Sequence, residues 1–321
     1  MVISDRFRGM LFGGVIGDAL GVPIEFFSQK EVIKRYGSSE EYLQKILEKG
    51  DLRTSDETLF ILHSIGFFTG DQGKSYEQHL GQLADLGDSA LRNMGVSRKM
   101  RNLFMHFRDN PGEINPYTDN QGTGFLPLLL PALMEGSSPE ELIPRYGEKT
   151  HANLNPEWSQ AYLSIIMGLV SGYSFSESLL PFRGTSFSSD PKFHAAVNGD
   201  LENIKEVSGY SGDLLPAAIA LYVASGNNFE TMVHKALAQF SSADYDTLFF
   251  ATGAMIGASV GYSGLPQTVF SRVRESENIT DKINDFIEVF NEGEILPSSL
   301  KYGSTELRDL FDVCSTINLP A

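Results

Sequence analysis

Apolar side chains recur at helical spacing along most of this chain, and the alternation that makes strands and hairpins is hard to find. Over 228–240, Phe229, Met232, Val233, Ala236, Leu237 and Phe240 follow the i, i+3, i+4 rule without a break. Asn227 and Asn228 stand where the cap belongs. Trp158, Tyr162, Ile165 and Leu169 form a second stripe, with Trp158 expected in the core. Leu248, Ala251, Met255, Ala258 and Tyr262 form a third. Residues 5–21 put Phe7, Met10, Leu11 and Val15 on one face, with Ser4 or Asp5 as N-cap. The pattern predicts an all-α fold of many short helices, in a single domain over residues 1–321. Two segments break it, 109–124 and 181–213, and both are expected to be long loops of the kind that carry function.

The chain has 25 basic and 41 acidic side chains and a net charge of −16. That balance argues against nucleic acid as the main partner, because phosphates need Lys and Arg to neutralise them. It leaves room for an anion held through a metal ion, whose charge dominates its surroundings. The single cysteine, Cys314, allows neither an intrachain disulfide nor a cysteine zinc site and is read as structural. No signal peptide is legible at the N-terminus. The most apolar run, Phe125 to Met134, is 10 residues long and carries two prolines. A membrane span needs about 20. A cytoplasmic monomer, not associated with a membrane, is the expectation.

Hard cations bind carboxylate and hydroxyl oxygens, and two places concentrate them. Thr54-Ser55-Asp56-Glu57-Thr58 opens one helical pattern, and Asp244-Tyr245-Asp246-Thr247 opens another. Either alone reads as a helix cap. If the two helices pack side by side with their starts level, four carboxylates and their hydroxyls meet, and such a density of charge calls for a cation. Glycines 253, 257 and 261 would let a helix approach closely. A third feature is the glycine-laced run Gly13 to Phe26, in which Glu25 projects from the turn after a helix. It has neither the preceding strand nor the G-x-G-x-x-G spacing of a dinucleotide site.

These features together resemble the ADP-ribosylglycohydrolase family. The similarity runs through Arg8-Gly-Met-Leu-Phe-Gly-Gly-Val-Ile-Gly-Asp-Ala-Leu-Gly-Val-Pro-Ile-Glu-Phe26 and Ser55-Asp56-Glu57-Thr58 in place of the family's T-D-D-T. It continues through Thr150-His151 and the block from Ala220 to Asp244-Tyr-Asp-Thr247. The resemblance implies a hydrolase that cleaves the glycosidic bond between ADP-ribose and a protein side chain or small molecule. It implies two Mg²⁺ or Mn²⁺ ions held by Ser55, Asp56, Glu57, Asp244, Asp246 and Thr247. Glu25 or Asp56 would act as base on the attacking water. Gly122, Thr123, Gly124 and His151 would line the ADP-ribose cleft.

Several positions depart from the family pattern. Ser55 keeps the hydroxyl of Thr, while Glu57 lengthens an Asp by a methylene. Thr123 replaces Asn, Pro127-Leu128 replaces Met-Arg, and Ser242-Ala243 replaces paired glycines. Side chains at 242 and 243 are expected to narrow the cleft. The second reading is therefore an inactive family member that binds a ligand or serves as a crystallin-like structural protein. His63, His79, His106, His194 and His234 lack metal-type spacing and read as packing or surface residues. The basic run Ser97–Arg108 reads as a solvated helix face.

Overall fold

The structure, a computed structural model, describes residues 3–70, 74–117, 119–204 and 207–292. Its secondary structure among these residues is helical, with three isolated bridges and no strand. Nine helices of eleven residues or more carry the architecture. They are α1 (Ile3–Gly21), α2 (Ser39–Lys49), α3 (Asp56–Gly70), α4 (Arg98–Asp109), α5 (Pro156–Val170), α6 (Ser211–Ser225), α7 (Phe229–Gln239), α8 (Tyr245–Val260) and α9 (Ser276–Glu292). All three predicted stripes are helices, and Asn228 caps α7 by accepting the Thr231 N–H at 2.8 Å. Trp158 is buried against Phe187, with ring centroids 4.9 Å apart. Cys314 lies outside the described residues.

The centre of the molecule is the antiparallel pair α1 and α8. A Cβ on Gly9 would lie 2.2 Å from the Gly257 carbonyl oxygen, and one on Gly13 would lie 2.3 Å from that of Gly253. One on Gly17 would lie 1.9 Å from the carbonyl oxygen of Phe249. Backbone therefore touches backbone along the whole seam, which only glycine permits. Arg6 of α1 donates to the Leu169 carbonyl of α5 at 2.9 Å and to the Ala258 carbonyl of α8 at 3.1 Å. This satisfies carbonyls in the last turns of both helices. Tyr162 of α5 donates to the Ala251 carbonyl at 2.7 Å. By length and hydropathy, residues 4–24 could cross a membrane, but most of this stretch is buried inside the protein.

Two local expectations change. The helix is already formed at Ile3, so Ser4 and Asp5 stand in its first turn. Asp5 instead accepts from the Ser263 N–H and hydroxyl, both at 3.2 Å. The 181–213 segment is not one long loop. It contains the helix Pro191–Val197, capped by Asp190, three short 3₁₀ turns and the start of α6. Elements this short present no stripe to read.

Candidate metal centre and substrate cleft

The seam between α1 and α8 decides where the acidic residues fall. A Cβ on Gly21 would lie 2.4 Å from the Asp246 Cα, so the end of α1 rests on the start of α8. Asp18, on that last stretch of α1, is fully buried. It accepts from the Ser55 N–H at 3.1 Å, the Ser55 hydroxyl at 2.7 Å, the Thr58 N–H at 3.2 Å and the Thr58 hydroxyl at 2.5 Å. Asp18 therefore caps α3 from a different helix, giving the orphan N–H groups of its first turn a carboxylate partner. The two acidic helix starts do meet, through Glu57 and Thr247, with the end of α1 packed against both. The long neighbour of α8 is α1, and α3 touches α8 only sparingly.

Glu57 reaches across this junction. The Thr247 hydroxyl donates to its Oε1 at 2.5 Å, and its Oε2 contacts the Ser55 hydroxyl. The extra methylene of Glu57 thus spans from α3 to α8. Oxygen atoms from Asp18, Glu57 and Asp246 lie within 4.8 Å of one another, and so do oxygens from Glu25, Asp244 and Asp246. Asp246 belongs to both triads. Asp56 belongs to neither and lines the adjoining cleft.

Protons are short at this floor. The Ser55 hydroxyl contacts both Asp18 and Glu57, and the Thr247 hydroxyl contacts both Glu57 and Asp244. Each hydroxyl has one proton to give. Burial is the first cause pushing Glu57 up to about 8, with the Asp18 and Asp244 charges adding to it. Burial likewise lifts Asp18 to about 6, and burial with the Asp244 charge lifts Glu25 to about 7. Asp56 and Asp246 are raised well above the carboxylate range by burial and then by the Glu57 charge. Oxygen donors that compete for protons, without nitrogen or sulfur, fit a hard divalent cation.

Above the floor opens a cleft of about 710 Å³. One wall is made by the two segments that broke the helical pattern. Thr123 N–H donates to the Gly209 carbonyl at 3.1 Å and Ser211 N–H to the Gln121 carbonyl at 3.0 Å, which pairs Gly122 with Tyr210. Thr123 also donates its hydroxyl to Gly209 at 3.2 Å. Behind Gly122 and Gly124 lies His151, buried and bonded to the Thr150 hydroxyl at 2.8 Å. Burial pushes this imidazole down to about 3, so it is neutral. All four residues expected along the cleft line it. Ser242 and Ala243 do not. Ser242 bridges to Ser28, and Ala243 is buried away from the opening. The expected narrowing is absent, since neither side chain lines the cleft.

The sequence reading missed part of this site. The signal for Asp18 was a carboxylate set among glycines and apolar residues near the end of α1. The basic run is not simply a solvated face. Arg101 is buried and donates to Asp88 at 2.7 Å, while Arg98 and Lys99 line the cleft. Lys99 pairs with Asp119 at 2.7 Å, and Arg98 is unpaired among the described residues. Phe26 and Tyr210 also line the opening.

The family model for ADP-ribosylglycohydrolase matches residues 2–295. The chain belongs to the ADP-ribosylglycohydrolase family. The family is one of divalent-metal-dependent hydrolases acting on ADP-ribosylated substrates, and the two triads are groups that could hold such ions. A solved structure, an ADP-ribosylglycohydrolase-related protein complex, shares the fold, with a TM-score of 0.63 at 19% identity. The match covers 89% of this chain and 98% of that one. No curated protein matches the chain.

Proposed function

We propose that this ADP-ribosylglycohydrolase family member hydrolyses the bond between the anomeric carbon of ADP-ribose and an acceptor side chain, with two divalent ions, Mg²⁺ or Mn²⁺, at its floor. The observation that carries this reading is Asp246, shared between two carboxylate triads at the bottom of the cleft. Asp18, Glu57 and Asp246 would hold one ion, and Glu25, Asp244 and Asp246 the other, with the Ser55 and Thr247 hydroxyls beside them. Bound there, the ions would supply Lewis acidity that lowers the pKa of a water and orients ribose hydroxyls. Asp56 stands outside both triads on the cleft wall, and once the ions offset the neighbouring charges that raise it, its carboxylate would be free to take a proton from the attacking water. Arg98 and Lys99, at the start of α4, offer the cleft's cationic side chains to the diphosphate. His151 stays neutral and keeps the wall uncharged where Gly122 and Gly124 let a ligand approach.

The family departures leave this arrangement standing. Glu57 remains within its triad, Ser55 keeps its hydroxyl on Asp18, and 242–243 are clear of the cleft. The single cysteine fits a protein that works in the reducing cytoplasm. The test is release of ADP-ribose from ADP-ribosyl-arginine and ADP-ribosyl-serine proteins with Mg²⁺ or Mn²⁺ present. Turnover that is lost on chelation and in Asp246→Asn is expected. Tight ADP-ribose binding with no turnover on either substrate would move the protein to the binding class.

A further inference from the structure

Two aromatic side chains stand exposed among the described residues, Phe26 at 68% and Tyr210 at 57%, and both line the same cleft. An exposed aromatic in a cleft is a surface kept open for something flat. Phe26 is the more unusual of the two. Glu25 has φ −47° and ψ 129°, Phe26 has φ 57°, and the Phe27 N–H donates to the Ile24 carbonyl at 2.9 Å. That is a type II turn with phenylalanine at the position that favours glycine. A bulky residue there costs backbone energy, and an exposed ring returns little burial to offset it. Its ring has no aromatic or cationic partner among the described residues. Nothing in the packing accounts for a ring at this position.

Its place in the cleft narrows what it faces. Phe26 follows Glu25, whose carboxylate lies in the triad with Asp244 and Asp246. The ring is therefore at the reacting end, while Arg98 and Lys99 come from a different element of the cleft. The group beyond the reacting carbon is the acceptor that leaves. We propose that Phe26 is a specificity-determining residue that stacks on the acceptor and favours flat, delocalised leaving groups of the guanidinium type over aliphatic hydroxyls. A guanidinium gains from the face of the ring, and an alkyl hydroxyl does not. This inference rests on the proposed binding of ADP-ribose.

The test compares ADP-ribose, ADP-ribosyl-arginine and ADP-ribosyl-serine on the metal-loaded protein, by calorimetry or by KM where turnover intervenes. Phe26→Ala is expected to weaken ADP-ribosyl-arginine by about tenfold and to leave the other two within about twofold. Phe26→Tyr should keep the preference. Phe26→Gly should lose it while raising the melting temperature, because glycine accepts this φ. Equal weakening of all three ligands, or no change for ADP-ribosyl-arginine in a protein that binds ADP-ribose normally, would overturn this inference alone. Failure of the unmodified protein to bind ADP-ribose would overturn the proposed function and this inference with it.

Discussion

The two ends of the α1–α8 pair are built from the same two helices and have opposite characters. At one end, Gly9 and Gly13 meet Gly253 and Gly257 with no side chain between the backbones. At the other, Asp18 and Asp246 lie buried among further carboxylates. The first end is complete as it stands. The second holds more carboxylate oxygens than protons to share among them. Close helix contact is what allows this, because it fixes the acidic end against charge repulsion that would otherwise push it apart. The seam holds the crowded acidic end together.

The glycine end gives the largest effect. A Cβ on Gly257 would lie 1.8 Å from the Gly9 carbonyl oxygen, and backbone cannot step aside as a side chain can. Gly257→Val should cost about 3 kcal/mol or more, measured by denaturant unfolding. A variant with unchanged stability would mean that the helices are not held at backbone contact. Next comes Asp18→Ala, which strips the first turn of α3 of its carboxylate. A loss of about 1–3 kcal/mol is expected in the metal-free protein, and saturating Mn²⁺ should stabilise this variant by less than it stabilises the wild type.

An ion that binds only the folded state stabilises by mass action. At 100 times its Kd the gain is about 2.7 kcal/mol. Mg²⁺ or Mn²⁺ should raise the melting temperature accordingly, and Asp246→Asn should remove most of the rise. The same end predicts the pH response of the metal-free protein. Glu57 is raised from 4.5 to about 8, so the folded state holds a proton that the unfolded chain has released. Stability is then full below pH 4.5 for this group and falls as pH climbs toward about 8. Asp18 and Glu25, raised to about 6 and about 7, act in the same direction. Unfolding midpoints across that range, with and without Mn²⁺, check the sign. A metal-free midpoint that rises with pH would contradict it.

The smallest effect sharpens the border of the site. Ser242→Gly and Ala243→Gly should leave ADP-ribose affinity within about twofold, since neither residue lines the cleft. A larger gain in titration would show that these side chains reach the ligand.

How much of this could be read beforehand differed between the two ends. The stripes of α5, α7 and α8 were legible because each helix is long enough to repeat its period. The glycines at 253 and 257 predicted close approach, but sequence spacing does not name the partner, and that partner is α1 rather than α3. The acidic starts at 56 and 244 marked the place where the carboxylate triads gather. They could not say that Asp56 stays outside both triads, because one helical step of about 100° separates it from Glu57. Asp18 escaped because its partners, Ser55 and Thr58, lie far along the chain. Helix Pro191–Val197 escaped because two turns carry too little pattern.

The account turns on whether the acidic end is a two-ion centre, and anomalous scattering from crystals soaked in Mn²⁺ tests that directly. Two peaks are expected, one among Asp18, Glu57 and Asp246 and one among Glu25, Asp244 and Asp246, with both lost in Asp246→Asn. Clear density for these carboxylates with no peak between them at saturating Mn²⁺, or ions bound only elsewhere on the surface, would contradict it.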